Sequence, residues 1–355
     1  MSLDSVHHSC TGQALGRTIL GPKKNILSIK RDDLASYIKT NYTADRMVLV
    51  GAGGVDHSEL VKAAEKSFGT LPVSPNPIPL GRKAHPKPDF VGSEVRVRDD
   101  TIPTAHIAVA VEGVSWSSPD YYPMLVMQSI FGNWDRALGS ASLLSSRLSD
   151  TIAKHNLANS YMSFSTSYSD TGLWGIYLVT ENLTNLDDLL HFTLREWTRM
   201  SIAPSTGEVE RAKSQLKASL LLGLDGTTAI AEDIGRQLVT SGQRFSPRQI
   251  ENAIDAVTPE EIKRVAQKYL WDKDVRAIHR ILPVKVHSPY DSLDCTRGAW
   301  LDRRPPRLQP HPLRYVVDDL LKLAIPSTPP SLLPASVIHI KQTIFVLAFP
   351  LDANG

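Results

Sequence analysis

The chain has 355 residues, 42% of them apolar and 21% charged, with a net charge of +2. That length predicts two domains, each large enough for its own core, and the near-neutral balance gives no basis for a nucleic-acid or membrane-surface partner. No apolar run reaches the ~18 residues that span a bilayer, and Cys10 and Cys295 match neither a zinc-ribbon nor a C-x-x-C spacing, which predicts reduced thiols in a non-secreted protein.

Residues 1–27 are irregular and punctuated by Gly16, Gly21 and Pro22. Met1 to Cys10 carries neither the apolar core of a signal peptide nor the Arg-rich pattern of a transit peptide. A helix is expected from Ser28, with Leu34, Tyr37, Ile38 and Tyr42 on one face. Arg46-Met-Val-Leu-Val50 reads as a buried strand, and Gly51-Ala-Gly-Gly54 turns it into a helix capped by Asp56 and Glu59, with Leu60, Ala63, Ala64 and Phe68 along it. Strand, glycines and helix also open a dinucleotide fold, but Asp56 stands where the third glycine belongs, and its charge would repel a pyrophosphate from the helix N-terminus.

Residues 69–92, punctuated from Pro72 to Pro88, read as a semi-extended linker. A second unit is expected over 93–282. Glu94–Asp99 and His106–Glu112 read as paired strands around Thr101-Ile-Pro103. Ser118 with Pro119 starts a helix that runs to about Phe131. Asn133–Ala141 reads as a small-residue loop, and a short helix around Leu143–Lys154 follows it.

The stretch from Leu157 to Glu181 is the pivot of this unit. Tyr161, Ser163, Ser165 and Ser167 alternate with Met162, Phe164 and Thr166; then Ser169-Asp170-Thr171-Gly172 turns the chain into Leu173–Val179. Two β-prone arms around a Gly-bearing turn predict an antiparallel hairpin over 159–180, the sheet on which the later helices pack. Those helices are Leu186–Met200, a Ser205/Glu208-capped helix to Leu224, Thr227–Ser241, and two more started by Ser246-Pro247 with Gln249 and Thr258-Pro259 with Glu261. The fold class is therefore α+β, helices layered on one sheet.

There is an internal echo. Thr258–Tyr269 followed by Asp272-Lys-Asp-Val275 resembles Ser28–Tyr42 followed by Ala44-Asp-Arg-Met47. Read as a duplication, the second copy is complete, and residues 28–68 are the remnant of a first half whose earlier part is missing.

Several segments carry a family resemblance. They are Gln13-Ala-Leu-Gly-Arg-Thr-Ile-Leu-Gly-Pro22, Asp45-Arg-Met-Val-Leu-Val-Gly-Ala-Gly53, Glu112-Gly-Val-Ser-Trp116, Leu157-Ala-Asn-Ser-Tyr-Met-Ser-Phe-Ser165 and Leu221-Leu-Gly-Leu-Asp-Gly-Thr-Thr-Ala-Ile-Ala-Glu-Asp-Ile-Gly-Arg-Gln237. Together they resemble the β-subunit family of the mitochondrial processing peptidases, over about Gln13 to Asp274, and less closely the core subunits of ubiquinol–cytochrome c reductase. The resemblance implies two similar α+β halves, a heterodimer with an α subunit, and a mitochondrial matrix location. It also implies cleavage of Arg-bearing presequence peptides by zinc held in an inverted H-x-x-E-H helix with a distal Glu.

None of the eleven histidines forms that motif, and His7 and His8 are adjacent, a spacing that cannot aim both rings at one ion. No catalytic residue, zinc ligand or Arg-binding acid carries over, so no zinc is expected at a family-type site and the chain by itself is expected to be inactive. A non-catalytic scaffold subunit is the alternative. The substrate-facing candidates are Tyr161, Ser163, Ser165 and, at opposite parity, Tyr168, on the hairpin strand where an extended peptide could lie. From 283 to 355 the chain holds eleven prolines, and Arg276, His279 and Arg280 stand where a buried strand is expected. This composition resembles translation outside the natural frame and predicts disorder, with Ile344–Phe349 an aggregation hazard.

Overall fold

The computed structural model describes residue 17 and residues 21–75, 77, 80–81, 88–90, 92, 94–98, 103–138, 146–273 and 276–281. His7, His8, both cysteines, most of the linker and the tail from 283 lie outside the described residues.

Three helices come first: α1 (Lys23–Ser28), α2 (Arg31–Asn41) and α3 (His57–Phe68). The helix expected from Ser28 starts three residues later, at Arg31, where the Lys30 amide donates to Asp33 Oδ2 at 2.8 Å, and α1 lies mostly in the segment read as irregular. α3 begins as read, with Asp56 Oδ1 accepting from the Glu59 amide at 3.0 Å. The expected strand over Arg46–Val50 does not form. Ala44–Arg46 is a 3₁₀ turn, and residues 47–50 run on without a sheet partner among the described residues. A strand is stable only when its backbone groups find a ladder. Here two other bonds fix the segment: the Ala44 amide to the Pro72 carbonyl at 3.0 Å, and the Ser74 amide to Asp45 Oδ1 at 2.8 Å.

The second part builds one six-stranded sheet, in the order β1-β6-β2-β5-β4-β3. Its strands are β1 (Glu94–Arg98), β2 (Ala105–Glu112), β3 (Asn133–Asp135), β4 (Ser160–Ser167), β5 (Gly172–Thr180) and β6 (Arg276–Ile281). The expected antiparallel hairpin β4–β5 forms, with Tyr161 opposite Leu178 and Ser165 opposite Trp174. One pairing differs from the sequence reading. β1 does not pair with β2; β6 lies between them, parallel to β1 and antiparallel to β2. The Thr101-Ile-Pro103 link lacks the Gly or Asn that a tight hairpin turn requires, so nothing local forces those two strands together. β3 and a 3₁₀ turn at Arg136–Leu138 occupy part of the expected loop 133–141.

One face of the sheet is covered by a layer of helices, α4 (Tyr121–Phe131), α5 (Arg147–Lys154), α6 (Leu186–Ile202), α7 (Thr206–Leu222), α9 (Pro247–Asp255) and α10 (Pro259–Tyr269), while α8 (Thr227–Ser241) adds no residue to their shared core. Period-two alternation sends Ile107, Val109 and Val111 of β2 and Trp174, Ile176 and Leu178 of β5 into this layer. There they meet Met124, Met127, Ile130 and Phe131 of α4, with Leu189, Trp197 and Met200 of α6 and Ile262 and Val265 of α10 beyond. Each fully buried apolar side chain contributes about 1.5–3 kcal/mol, and this single core holds most of them. The caps read from sequence are made: Ser205, Ser246 and Thr258 each accept from the amide three residues on. α4 starts two residues later than read, at Asp120, because Ser118 and Pro119 form a turn ahead of it. The architecture is α+β, two layers.

Candidate functional site

The Ser-rich strand β4 divides its side chains between the two faces of the sheet, and Tyr161, Ser163 and Ser165 share the covered one. Tyr161 is 3% exposed and Ser163 2%. The Tyr161 hydroxyl donates to the Phe131 carbonyl at 2.9 Å and meets Ser146 Oγ at 2.8 Å. Burial pushes its pKa up to about 12. Ser163 Oγ reaches the Gly132 carbonyl at 2.8 Å and the Gln128 carbonyl at 3.0 Å, and Gln128 Nε2 donates back to the Ser163 carbonyl. These two residues therefore tie β4 to the end of α4 and cannot face a substrate across the sheet. The polarity that suggested a substrate-facing strand here satisfies helix-terminal carbonyls. Ser165 is half-buried on the same face, opposite Trp174. Tyr168 is half-buried in the hairpin turn, its amide donating to Thr171 and its carbonyl accepting from Trp116.

The uncovered face carries the other parity. Met162, 44% exposed, stands beside the half-buried Tyr177 and Val179, with His106 next in β2. His106 is held through both ring nitrogens, Nε2 to Thr104 Oγ1 at 2.9 Å and Nδ1 to the Tyr177 hydroxyl at 2.7 Å. Farther along, Ala108, Ala110, Phe164 and Leu173 form a small apolar patch, against which Phe90 and Tyr177 pack. A mixed apolar and aromatic sheet face of this kind, exposed at Met162 and buried at Ala108, Ala110, Phe164 and Leu173, suits an extended peptide better than a small polar ligand.

Three charged clusters brace the helical layer. Asp120, 3% exposed, takes Arg264 Nη2 at 2.5 Å, Lys268 Nζ at 2.8 Å and the Tyr269 hydroxyl at 2.9 Å, which fastens the start of α4 to α10. Burial pushes its carboxyl up, but those three donors outweigh it and hold the pKa at about 2. Glu208 is likewise pushed up by burial and brought below the usual carboxylate range by Arg199, which grips it with two bonds of 2.8 and 3.0 Å, and by Ser205. Asp233 binds Arg236 and Arg244, and Arg236 lies 4.7 Å over the Trp116 ring. The Asp120 cluster was not legible as a site in the sequence, because its partners come from a distant element; Asp120 and Lys268 are 148 positions apart.

The described residues do not fit a zinc centre. No group of three His, Cys, Asp or Glu side chains among them could hold a metal ion. His106 has both nitrogens engaged, while His155 and His191 pack on the Phe192 ring. Among the described residues no helix is long and apolar enough to cross a membrane.

Comparison with known proteins gives a consistent result. Residues 28–216 match the family model described as the peptidase M16 inactive domain. Over 264 residues the chain is 78% identical to the mitochondrial-processing peptidase subunit beta of Lentinula edodes, covering 74% of this chain and 57% of that protein. It is 46% identical over 289 residues to the beta subunit of Bos taurus, covering 81% of this chain and 58% of that protein. Among solved structures, a chain of complex III2 from Candida albicans, with Inz-5 bound, superposes with a TM-score of 0.70 at 31% identity, covering 78% of this chain and 65% of that one. The chain thus spans less than three-fifths of the length of these curated relatives. The matched residues take in the whole hairpin and the helices on either side of it, and the chain belongs to the M16 peptidase family.

Proposed function

We propose that this chain serves as the sheet-and-helix scaffold of a mitochondrial processing peptidase β subunit, the zinc metalloendopeptidase subunit that removes presequences from imported precursors. The observation that carries the reading is the 78% identity to the Lentinula edodes subunit over 264 residues. In this reading the chain works in the mitochondrial matrix beside an α subunit, its substrates are presequence peptides, and the open sheet face with Met162, Tyr177 and Val179 forms one wall of the space that holds them. Zinc in such a subunit would polarise the scissile carbonyl and activate water; among the described residues no group could hold it, and they contribute shape and support.

Co-expression with an α subunit of a related fungus tests the pairing. The expected result is a complex that survives size-exclusion chromatography. A second reading, a core subunit of the complex III type, is favoured by the Candida albicans match at 31% identity and a TM-score of 0.70. Failure to bind the α subunit, with incorporation into complex III instead, would replace the first reading by the second.

A further inference from the structure

α8 is held differently from its neighbours. Among the described residues it is the one helix of the second part that adds no side chain to the shared core. Its ends lean on the first part of the chain. A Cβ on Gly53 would stand 3.2 Å from Thr227 Cγ2, and the Gly81 amide donates to the Val239 carbonyl at 3.1 Å. Arg236 makes the tie to the sheet unit. Its guanidinium lies 4.7 Å over the Trp116 ring and donates to the Tyr121 hydroxyl. Trp116 and Tyr121 themselves touch ring to ring, their centroids 5.4 Å apart. On its own helix Arg236 is oriented by Asp233, with Nη2 2.5 Å from Oδ1, and Asp233 is fixed in turn by Arg244 and by Gln237 Nε2 at 3.0 Å. Trp116 is anchored from the other side, its amide donating to the Tyr168 carbonyl in the hairpin turn at 3.1 Å. One guanidinium thus joins α8 to the start of α4 and, through Trp116, to the hairpin.

We propose that α8 is a detachable helix: Arg236 over Trp116 and Tyr121 is its clasp, and α8 opens as a unit while the sheet and α4 stay folded. A helix fastened by a stacked cation and a few hydrogen bonds has less to lose on opening than one held by buried apolar area, and segments of low local stability are the ones that move. Opening withdraws the guanidinium from the Trp116 and Tyr121 rings and uncovers an aromatic surface beside the hairpin turn. The clasp does not depend on what substrate the family processes.

Hydrogen exchange on the full chain, read amide by amide in low urea, tests it. In the unaltered chain the α8 amides should exchange through an opening that depends on urea far less than the opening that frees β5. Arg236→Gln should speed the α8 amides about tenfold, the loss expected of a desolvated cation–π pair, without steepening their urea dependence. Trp116→Leu should do the same, and the double variant should be no faster than the faster single one, because both remove one interaction. Arg236→Lys keeps a cation over Trp116 and should restore part of the protection. A folded Arg236→Gln chain whose α8 amides exchange at the unaltered rate, even if β5 exchanges faster, would remove the clasp; fully additive single effects would do so too. Should the variants fail to fold, the unaltered chain still decides: α8 amides with the same rate and the same urea dependence as those of β5 would show that α8 leaves only when the whole unit unfolds, and would overturn the proposal.

Discussion

The Tyr161 hydroxyl and the Phe131 carbonyl meet at 2.9 Å beneath the sheet, which locks the hairpin to the last turn of α4. The bond closes a frame in which Ser163, one inward-facing position along β4, satisfies the next carbonyl, that of Gly132. The strand read as substrate-facing is a latch between layers.

Tyr161→Phe keeps the ring and deletes the latch. It leaves the Phe131 carbonyl buried without its donor, a loss of about 1–3 kcal/mol. Urea unfolding should show a lower midpoint with an unchanged slope. A midpoint equal to that of the unaltered chain would mean that the bond contributes nothing.

Asp120 makes stability depend on acid. Its folded pKa, about 2, lies below the ordinary 3.8, so its contribution is full above about pH 4 and is lost as pH falls toward 2. The shift corresponds to about 2 kcal/mol. Asp120→Asn should therefore be less stable than the unaltered chain at pH 7 by that order, and the two should converge near pH 2. A constant gap from pH 7 to pH 2 would assign the loss to packing rather than charge.

The first three helices should exchange their amides quickly. α1, α2 and α3 contain no buried residue, and Leu27, Leu34 and Tyr37 are 77%, 43% and 58% exposed. Helices this short hold their bonds mainly through packing of an apolar face, and these present that face to solvent. Hydrogen exchange should find residues 28–68 orders of magnitude less protected than β5. Equal protection would show that this segment has a packing layer of its own.

Much of this was legible locally. Cap residues such as Ser205, Ser246 and Thr258 specify helix starts through their own side chains, and the two β-prone arms around Ser169–Gly172 specify the hairpin. What failed was everything decided at a distance. Arg46–Val50 has strand-forming residues, but a strand needs a neighbour, and among the described residues none pairs with it. β1 and β2 are consecutive in the chain, yet β6, from its far end, takes the position between them. The same limit governed the site. Alternation told which residues of β4 share a face, but burial by α4 determined that Tyr161 and Ser163 lie inside and Met162 outside. His106 and Tyr177 meet across 71 positions, and no local pattern announces them.

The measurement that bears most directly on the scaffold reading is the metal content and activity of the purified chain. It should be examined alone and as a complex with an α subunit, against an Arg-bearing presequence peptide. The prediction is far less than one zinc per chain and no zinc-dependent cleavage in either form. One tightly held zinc per chain, with cleavage that stops on chelation and returns with zinc, would contradict the scaffold role and place a catalytic centre within these residues.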